Sequence, residues 1–278
     1  MRALLWAALA ALVLAALWRL CLRGRRDHPA WAELERFRYA HRGLHGHGVP
    51  ENSLAAFRLA AEGGFGAELD VHLTKDKRLA VIHDSSLRRT CGAEGTVEDM
   101  TAAELATFRL EGTEERIPFL EEVLPLFEGK APLIVELKCA GGNAGELAER
   151  TCRMLEAHHT NYCIESFDPR ALMWLKGHRP QVVRGQLTQN FLRRGEGLSW
   201  PVRFVLTSLL GNALTRPDFV ACRFEDRGDA PVRLCCRRGV RQVDWTIRSP
   251  EQQRRAEQEG HLVIFEGYAP RDEKGETA

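Results

Sequence analysis

The sequence lacks the short motifs that mark several common enzyme classes. It has neither a glycine-rich dinucleotide-binding loop nor the phosphate-binding loop of nucleoside triphosphatases. No Cys-x-x-Cys pair occurs among its eight cysteines, which argues against a structural zinc site. The formal net charge is only +1, with acids and bases mixed along the chain, so no general affinity for nucleic acid is expected.

The length and the cysteines of the chain are typical of a globular domain with free thiols that follows a short N-terminal segment. Seven of the eight cysteines follow the first thirty residues, and several lie in apolar runs, as buried thiols in a reducing compartment do. The chain has 278 residues, which suits one large domain or two small ones. Without the N-terminal segment about 245 residues remain, close to the roughly 250 of a (β/α)8 barrel.

Residues 1–26 are predicted to form an N-terminal transmembrane anchor. An apolar run extends from Ala3 to Trp18, and the span reaches Leu22 if Arg19 extends its side chain to the interface. A cleaved signal peptide is the alternative, disfavoured because the basic residues follow the run. The positive-inside rule predicts a single-pass protein with a cytoplasmic carboxyl-terminal domain, because four arginines follow the run: Arg19, Arg23, Arg25 and Arg26.

After a polar linker at 27–37, strand and helix patterns alternate up to residue 268. Short apolar runs predict strands at 38–41, 67–74 and 132–138, with further strands later in the chain. Helix patterns lie between most of them, and repeated βα units favour a parallel sheet with helices outside it. Since the strand count is near eight, we predict a closed (β/α)8 TIM barrel over 38–268, in preference to an open doubly wound sheet. A polar tail follows at 269–278.

Two connections depart from simple alternation. Only four residues separate the runs 67–74 and 79–83, too few for a parallel crossover, so either a hairpin forms or one strand bends away from the barrel. A hairpin with Thr74 opposite Leu79 would place Asp70 opposite His83. Residues 87–116 are long and polar for a loop, and we predict that they form a small insertion after the third strand, over the functional face.

Carboxylates recur at the ends of the predicted strands. Glu68 and Asp70 are two residues apart on one strand, so both side chains point to the same face. Glu136 lies inside an apolar run, where a carboxylate without a partner would be unfavourable. Three oxygen donors at strand ends suit one hard divalent cation, Mg²⁺ or Ca²⁺.

Histidines and cationic side chains accompany these acids. His41 and His83 are candidates for proton transfer, because imidazole titrates near neutral pH. Arg42 and Lys138 would face an anion, and with the cation they suit a phosphoryl group and its developing charge. A single histidine or acid of this kind is more often structural, but their joint occurrence at successive strand ends favours a functional site.

The motifs resemble those of the glycerophosphodiester phosphodiesterase family over nearly the whole soluble chain. Five segments occur in the family's order and approximate spacing: His41-Arg42-Gly43, Pro50-Glu51-Asn52-Ser53, Glu68-Leu69-Asp70, His83-Asp84 and Glu136-Leu137-Lys138. Ser166-Phe167 and Trp245-Thr246 also look like family positions. Two features depart from the family: Ser53 replaces the usual threonine, and residues 264–268 do not match the common last strand with its Thr-Asp pair.

The resemblance implies a (β/α)8 barrel with an extra subdomain after the His83 strand. It also implies a metal site and roles for individual residues. The metal would lie at Glu68, Asp70 and Glu136, the acid and base would be His41 and His83, and Arg42, Lys138, Glu51 and Trp245 would serve the substrate. Glu51 would stand beside the metal, as a ligand or as the partner of one.

The implied reaction is metal-dependent hydrolysis of a glycerophosphodiester to an alcohol and glycerol 3-phosphate, through a cyclic phosphate. His41 is the favoured base and His83 the favoured acid, and the reverse assignment stays open. One alternative is a lysophospholipase D at the membrane, for which the apolar segment 200–214 would border a path for lipid; the other reading of that segment is an outer helix packed on the barrel. A membrane-tethered binding module without catalysis is the third possibility, disfavoured by the intact set of site residues.

Overall fold

Eight parallel strands close into a barrel in this computed structural model, which describes residues 1–195 and 197–270. The strands, with one further antiparallel strand, β3, are β1 (Tyr39–Ala40), β2 (Gly66–Leu73), β3 (Leu79–Val81), β4 (Leu133–Leu137), β5 (Tyr162–Ser166), β6 (Arg184–Thr188), β7 (Phe219–Arg223), β8 (Arg241–Ile247) and β9 (Leu262–Phe265). Their order is β1-β9-β8-β7-β6-β5-β4-β2, and pairing of β1 with β2 closes the ring. The predicted (β/α)8 barrel is confirmed.

Helices cover the barrel and connect its strands. The described α-helices are α1 (Arg2–Cys21), α2 (Trp31–Leu34), α3 (Leu54–Glu62), α4 (Arg88–Cys91), α5 (Ala102–Leu105), α6 (Leu120–Phe127), α7 (Ala144–Glu156), α8 (Pro169–His178), α9 (Phe191–Arg194), α10 (Trp200–Thr207), α11 (Asn212–Thr215), α12 (Ala230–Cys236) and α13 (Pro250–Gln258), with short 3₁₀ helices at Val97–Asp99 and Phe224–Asp226. The main apolar core lies between the outer face of the strands and this helical layer. All eight cysteines are free thiols.

The hairpin after β2 is confirmed, but its predicted register is wrong by one residue. β3 runs antiparallel to β2 outside the barrel, with Leu73 opposite Leu79. The turn sets this register, because Thr74 N–H donates to the Arg78 carbonyl (2.9 Å) and Arg78 N–H donates to Thr74 Oγ1 (2.8 Å). Asp70 therefore pairs through its carbonyl with Ile82 N–H (3.1 Å), not with His83.

The insertion has an apolar core of its own. Ile82 at the end of the hairpin packs there with Leu87, Val97, Leu105 and Ile117. The insertion includes α4, α5 and one of the 3₁₀ helices. It therefore forms a compact subdomain beside the strand end that precedes His83.

Two helix boundaries are set by local backbone conformation. Helix α6 begins two residues after Pro118, because Phe119 is extended and its N–H donates to Glu122 Oε2 (2.8 Å) as an N-terminal cap. The apolar segment 200–214 is divided into α10 and α11. Leu209 lies between them with a left-handed φ of 53° and is buried against the barrel, which interrupts the helix.

The N-terminal helix α1 includes a segment, Leu4–Cys21, that is long and apolar enough to cross a membrane, with a mean hydropathy of 2.1. A signal sequence near the N-terminus has the same properties. The end of α1 is tied to the barrel, since Trp18 Nε1 donates to the Ser208 carbonyl (3.0 Å) and Leu22 is fully buried. The subdivision into an anchor at 1–26, a linker at 27–37 and a tail at 269–278 stays a prediction, and residues 271–278 lie outside the described part.

Residues 22–37 pack against the amino ends of the barrel strands. Trp31 and Leu34 are buried below the barrel interior, with the Trp31 ring 5.5 Å from the ring of Phe219. Arg25 donates to both carboxylate oxygens of Asp218 (2.6 Å each) and to the carbonyl of Val182 (2.8 Å). Asp218 directly precedes β7, so this ion pair holds the segment after α1 against the amino ends of the barrel strands.

We predict that Arg25→Ala lowers the free energy of unfolding by about 2 kcal/mol, because Asp218 would remain buried without its cation. The melting temperature of the full chain in detergent, followed by intrinsic fluorescence, should fall by roughly 4–8 °C.

Arg36→Ala is the matched control. The Arg36 side chain is 69% exposed and lies 3.4 Å from Glu33, so its loss should change the free energy by less than about 0.5 kcal/mol. Equal effects of the two substitutions would contradict a structural role for the Arg25 pair.

Candidate functional site

Three buried carboxylates meet at the carboxyl ends of β2 and β4. Glu68 and Asp70 share the inner face of β2, and Glu136 on β4 lies directly opposite Asp70 in the parallel register. The exposed fractions of the three residues are 2%, 1% and 7%. Each offers one oxygen within 4.8 Å of the oxygens offered by the other two. The barrel therefore concentrates negative charge where the sequence predicted a cation site.

Cationic and amide side chains surround this cluster. Lys138, just past β4, places Nζ 3.0 Å from Asp70 Oδ1 and 2.8 Å from Glu136 Oε1. Arg42 places Nε 3.4 Å from Asp70 Oδ2, and its backbone N–H donates to Glu68 Oε2 (3.1 Å). Asn52 Nδ2 donates to Asp70 Oδ2 (2.8 Å). Asp70 is thus the carboxylate with the most positive surroundings.

The pKa values separate the three acids. Burial, followed by repulsion from neighbouring carboxylates, raises the pKa of Glu68 well above its usual value. Burial raises the pKa of Glu136 to about 7 although Lys138 opposes the shift. Burial would also raise the pKa of Asp70, but Lys138 and other nearby cations hold it well below its usual value. The cluster therefore carries more negative potential than the neighbouring side chains neutralise, which a bound divalent cation would relieve.

His41 follows β1 directly and is held from both sides. Its backbone N–H donates to the Phe265 carbonyl (2.9 Å), which fixes it beside the end of β9. Its Nδ1 lies 2.6 Å from Glu266 Oε2, and its Nε2 lies 3.9 Å from Glu68 Oε2. Burial lowers the pKa of His41, opposed by the hydrogen bond to Glu266, and that hydrogen bond lowers the pKa of Glu266 to about 2. An ionised Glu266 places the ring proton on Nδ1, so Nε2 is free to accept a proton.

His83 lies past the end of β3 and has a carboxylate partner of its own. Its Nδ1 is 2.6 Å from Asp84 Oδ1, and burial lowers its pKa. Arg89 on α4 donates to Asp84 and to both oxygens of Glu51 (2.9 and 2.6 Å). Glu51 also accepts from Arg42 (2.9 Å). The insertion is thereby connected to both sides of the site.

A cavity of about 70 Å³ lies between these groups. It is lined by His41, Arg42, Glu68, His83, Glu136, Lys138, Glu165, Phe167, Leu187, Trp245 and Ile264. Trp245 Nε1 is buried and has no hydrogen-bond partner within the described ranges. Glu165 on β5 is buried beside Glu136, and burial raises its pKa well above the usual value.

Of the nine residues predicted for the site, seven line this cavity. Asp70 does not line it, but lies against two residues that do, Lys138 and Arg42. The ninth, Glu51, contacts Arg42 and Arg89 and is absent from the three-carboxylate cluster in the described ranges. The roles of all nine residues stay predictions. Sequence reasoning missed Asn52, Glu165 and Glu266 as contributors. Glu266 carried the same signal as the predicted residues, because it directly follows an apolar strand.

Comparison with known proteins agrees with this geometry. A glycerophosphodiester phosphodiesterase of Caldanaerobacter subterraneus is 37% identical over 160 residues, which are 54% of this chain and 65% of that protein. A lysophospholipase D of Rattus norvegicus is 36% identical over 112 residues, 36% of this chain and 35% of the rat protein. The chain thus spans less than two-thirds of the length of these curated relatives.

Solved structures share the fold. A phosphodiesterase of Oleispira antarctica, in complex with the product sn-glycerol-3-phosphate, aligns with a TM-score of 0.72 at 24% identity, covering 86% of this chain and 96% of that one. The profile of the glycerophosphoryl diester phosphodiesterase family matches residues 41–265, which include every predicted site residue. The chain belongs to the glycerophosphoryl diester phosphodiesterase family.

Proposed function

We propose that this protein hydrolyses glycerophosphodiesters to an alcohol and glycerol 3-phosphate. The observation that carries the proposal is the cluster of three buried carboxylates beside a cavity that two imidazoles, an arginine and a lysine line. Family membership and the activity named for the Caldanaerobacter relative support it. The intact set of site residues disfavours a binding module that has lost catalysis.

Glu68, Asp70 and Glu136 would hold one divalent cation, Mg²⁺ or Ca²⁺. Their donor set is all oxygen, which suits a hard cation, and their oxygens are close enough to share one ion. When bound, the cation would supply Lewis-acid stabilisation of charge on a phosphoryl oxygen. Lys138 and Arg42 would bind the remaining phosphoryl oxygens, as their positions beside the carboxylates suggest.

His41 is the favoured base, because Glu266 holds its Nδ1 proton and leaves Nε2 facing Glu68. Nε2 would take the proton from the glycerol hydroxyl next to the phosphate. The hydroxyl oxygen would then attack phosphorus, and the bond from phosphorus to the departing alcohol oxygen would break.

His83 would give its proton to that alcohol oxygen, with Asp84 orienting the ring. The product of this step is a cyclic phosphate, which water opens to glycerol 3-phosphate with the two proton transfers reversed. Trp245 Nε1 would donate a hydrogen bond to the bound substrate from the opposite wall of the cavity.

We further propose that α1 is a retained, single-pass anchor and that the barrel lies in the cytoplasm. The contacts of Trp18 and Leu22 with the barrel support retention of the helix, and the arginines after it support the orientation. A lysophospholipase D activity is the second candidate, favoured by the anchor and by the name of the rat relative.

The first expected result concerns cation dependence. The purified full chain, treated with EDTA, should release no choline from glycerophosphocholine, and added Mg²⁺ or Ca²⁺ should restore release, because the carboxylate cluster lacks its cation without them. Choline and glycerol 3-phosphate are measured together, with lysophosphatidylcholine tested in parallel. Undiminished release in EDTA, or none under any condition, would contradict the proposed function.

Replacing either histidine should remove most of the activity. His41→Ala and His83→Ala should each lower kcat by roughly 10²–10⁴-fold, because each removes one proton-transfer group, while the melting temperature stays near that of the wild type. His159→Ala, on an exposed loop before the amino end of β5, is the control and should leave kcat unchanged. Near wild-type turnover in either site variant would refute its assignment.

Glu266→Gln should lower kcat by at least about tenfold and shift the pH profile. Glu266 raises the pKa of His41, so its replacement lowers that pKa, and the acidic limb of kcat/KM should move to lower pH. Glu251→Gln, with a side chain 74% exposed on the outer helix α13, should change neither. A lower kcat with an unmoved acidic limb would contradict the role of Glu266 in setting the pKa of His41.

A further inference from the structure

Large apolar side chains are exposed mainly in one part of the barrel. Among the described residues after α1, nine large hydrophobic side chains are exposed, and seven of them lie between residues 192 and 214. These seven, named the apolar ridge below, are Leu192, Leu198, Trp200, Val202, Phe204, Val205 and Leu214. A clustered apolar surface of this kind is a typical contact site for a partner or a membrane.

The helix at the centre of the apolar ridge does not pack as an outer helix of the barrel. All eight residues of α10 are described, and none of them is buried. Trp200 and Phe204 stack on each other with ring centroids 5.6 Å apart, and both remain exposed. The interpretation as a packed outer helix is therefore wrong for α10, whereas Leu209 and Asn212 after it are buried.

The carboxyl-terminal end of the apolar ridge adjoins the end of α1. The carbonyl of Ser208, directly after α10, accepts the hydrogen bond from Trp18. Leu209 packs in one cluster with Leu22. Arg216 donates to the carbonyl of Leu20 (3.3 Å), within the last turn of α1. If α1 crosses a membrane, this part of the ridge lies where the span leaves the bilayer.

The amino-terminal end of the apolar ridge, at Leu192, adjoins the cavity of the candidate site. Phe191, next to Leu192, packs edge-to-face on Phe167 at 5.9 Å. Phe167 packs in the same way on Trp245 at 6.0 Å, and both of these rings line the cavity. Apolar side chains thus continue from the end of α1 to the mouth of the site.

The charge of this segment suits a phospholipid surface. The sequence from Gly197 to Pro217 has no acidic residue and two basic ones, Arg203 and Arg216. Exposed arginines also follow α1, at Arg23 and Arg26. Basic residues around an apolar, aromatic-bearing helix are typical of helices that lie in the membrane interface.

We propose that the apolar ridge lies in the interface of the bilayer leaflet from which α1 emerges. The cavity mouth then opens at the membrane surface, and the substrate class is a phosphodiester carried by a lipid of that leaflet, with a free hydroxyl next to the phosphate. This substrate class rests on the proposed function, whereas the membrane contact is measurable without any turnover.

The contact is tested by the full chain in proteoliposomes of three parts phosphatidylcholine to one part phosphatidylglycerol, with bromine atoms on the acyl chains of the phosphatidylcholine. Bromine quenches only indole rings that enter the lipid. Trp200→Phe should lower the quenched fraction of the tryptophan emission. Trp174→Phe, the control on α8, should raise that fraction, because it removes an unquenched ring. An unchanged or higher quenched fraction in Trp200→Phe would overturn the proposal, including the case in which another protein chain covers the ridge.

The substrate class is tested by the double variant Val202→Glu with Phe204→Glu in the same proteoliposomes. It should lower hydrolysis of bilayer lysophosphatidylcholine by about tenfold or more, because two carboxylates oppose entry of the ridge into the interface, and leave hydrolysis of soluble glycerophosphocholine unchanged. Leu59→Glu, at an exposed apolar position on α3, should change neither rate. Equal changes for the two substrates would overturn the proposed substrate class. If the wild type hydrolyses neither substrate, the proposed function fails, while the quenching result still decides the membrane contact.

Discussion

The repulsion among three buried carboxylates is the constraint on which the rest of the site depends. Glu68, Asp70 and Glu136 are within reach of one ion because β2 and β4 are neighbouring strands of the barrel and pair in parallel register. Such a cluster is stable only with positive charge beside it. Lys138 and Arg42 supply part of that charge from the adjoining strand ends. The raised pKa values of Glu68 and Glu136 indicate that these cations do not balance the cluster, so a divalent cation would stabilise it further.

Proton transfer and substrate access follow from the same arrangement of strand ends. His41 stands between Glu68 on one side and Glu266 on the other, so the closure of the barrel between β1 and β9 also orients the favoured base. His83 reaches the cavity from the hairpin outside the barrel, where the insertion holds its partner Asp84. The base of the barrel is packed by the residues that follow α1, which leaves the carboxyl ends of the strands for chemistry.

Much of this arrangement could be predicted because functional side chains directly follow short apolar runs, and the carboxyl ends of parallel strands converge. The register of the hairpin could not, since it depends on side-chain hydrogen bonds of Thr74 within the turn. The pair between Arg25 and Asp218 joins residues far apart in sequence, so the packing of the segment after α1 could not be predicted. An apolar stripe such as α10 has the same pattern whether it faces a core or a membrane, and the structure alone shows its exposure.

Anomalous diffraction from crystals of the full chain grown with Mn²⁺, a stand-in for a hard divalent cation, tests the central claim most directly. The account predicts one anomalous peak bounded by oxygens of Glu68, Asp70 and Glu136, which disappears in Glu136→Gln. A peak only between His41 and Glu266, or no peak in the cavity at saturating Mn²⁺, would contradict the assignment of these carboxylates as the cation site.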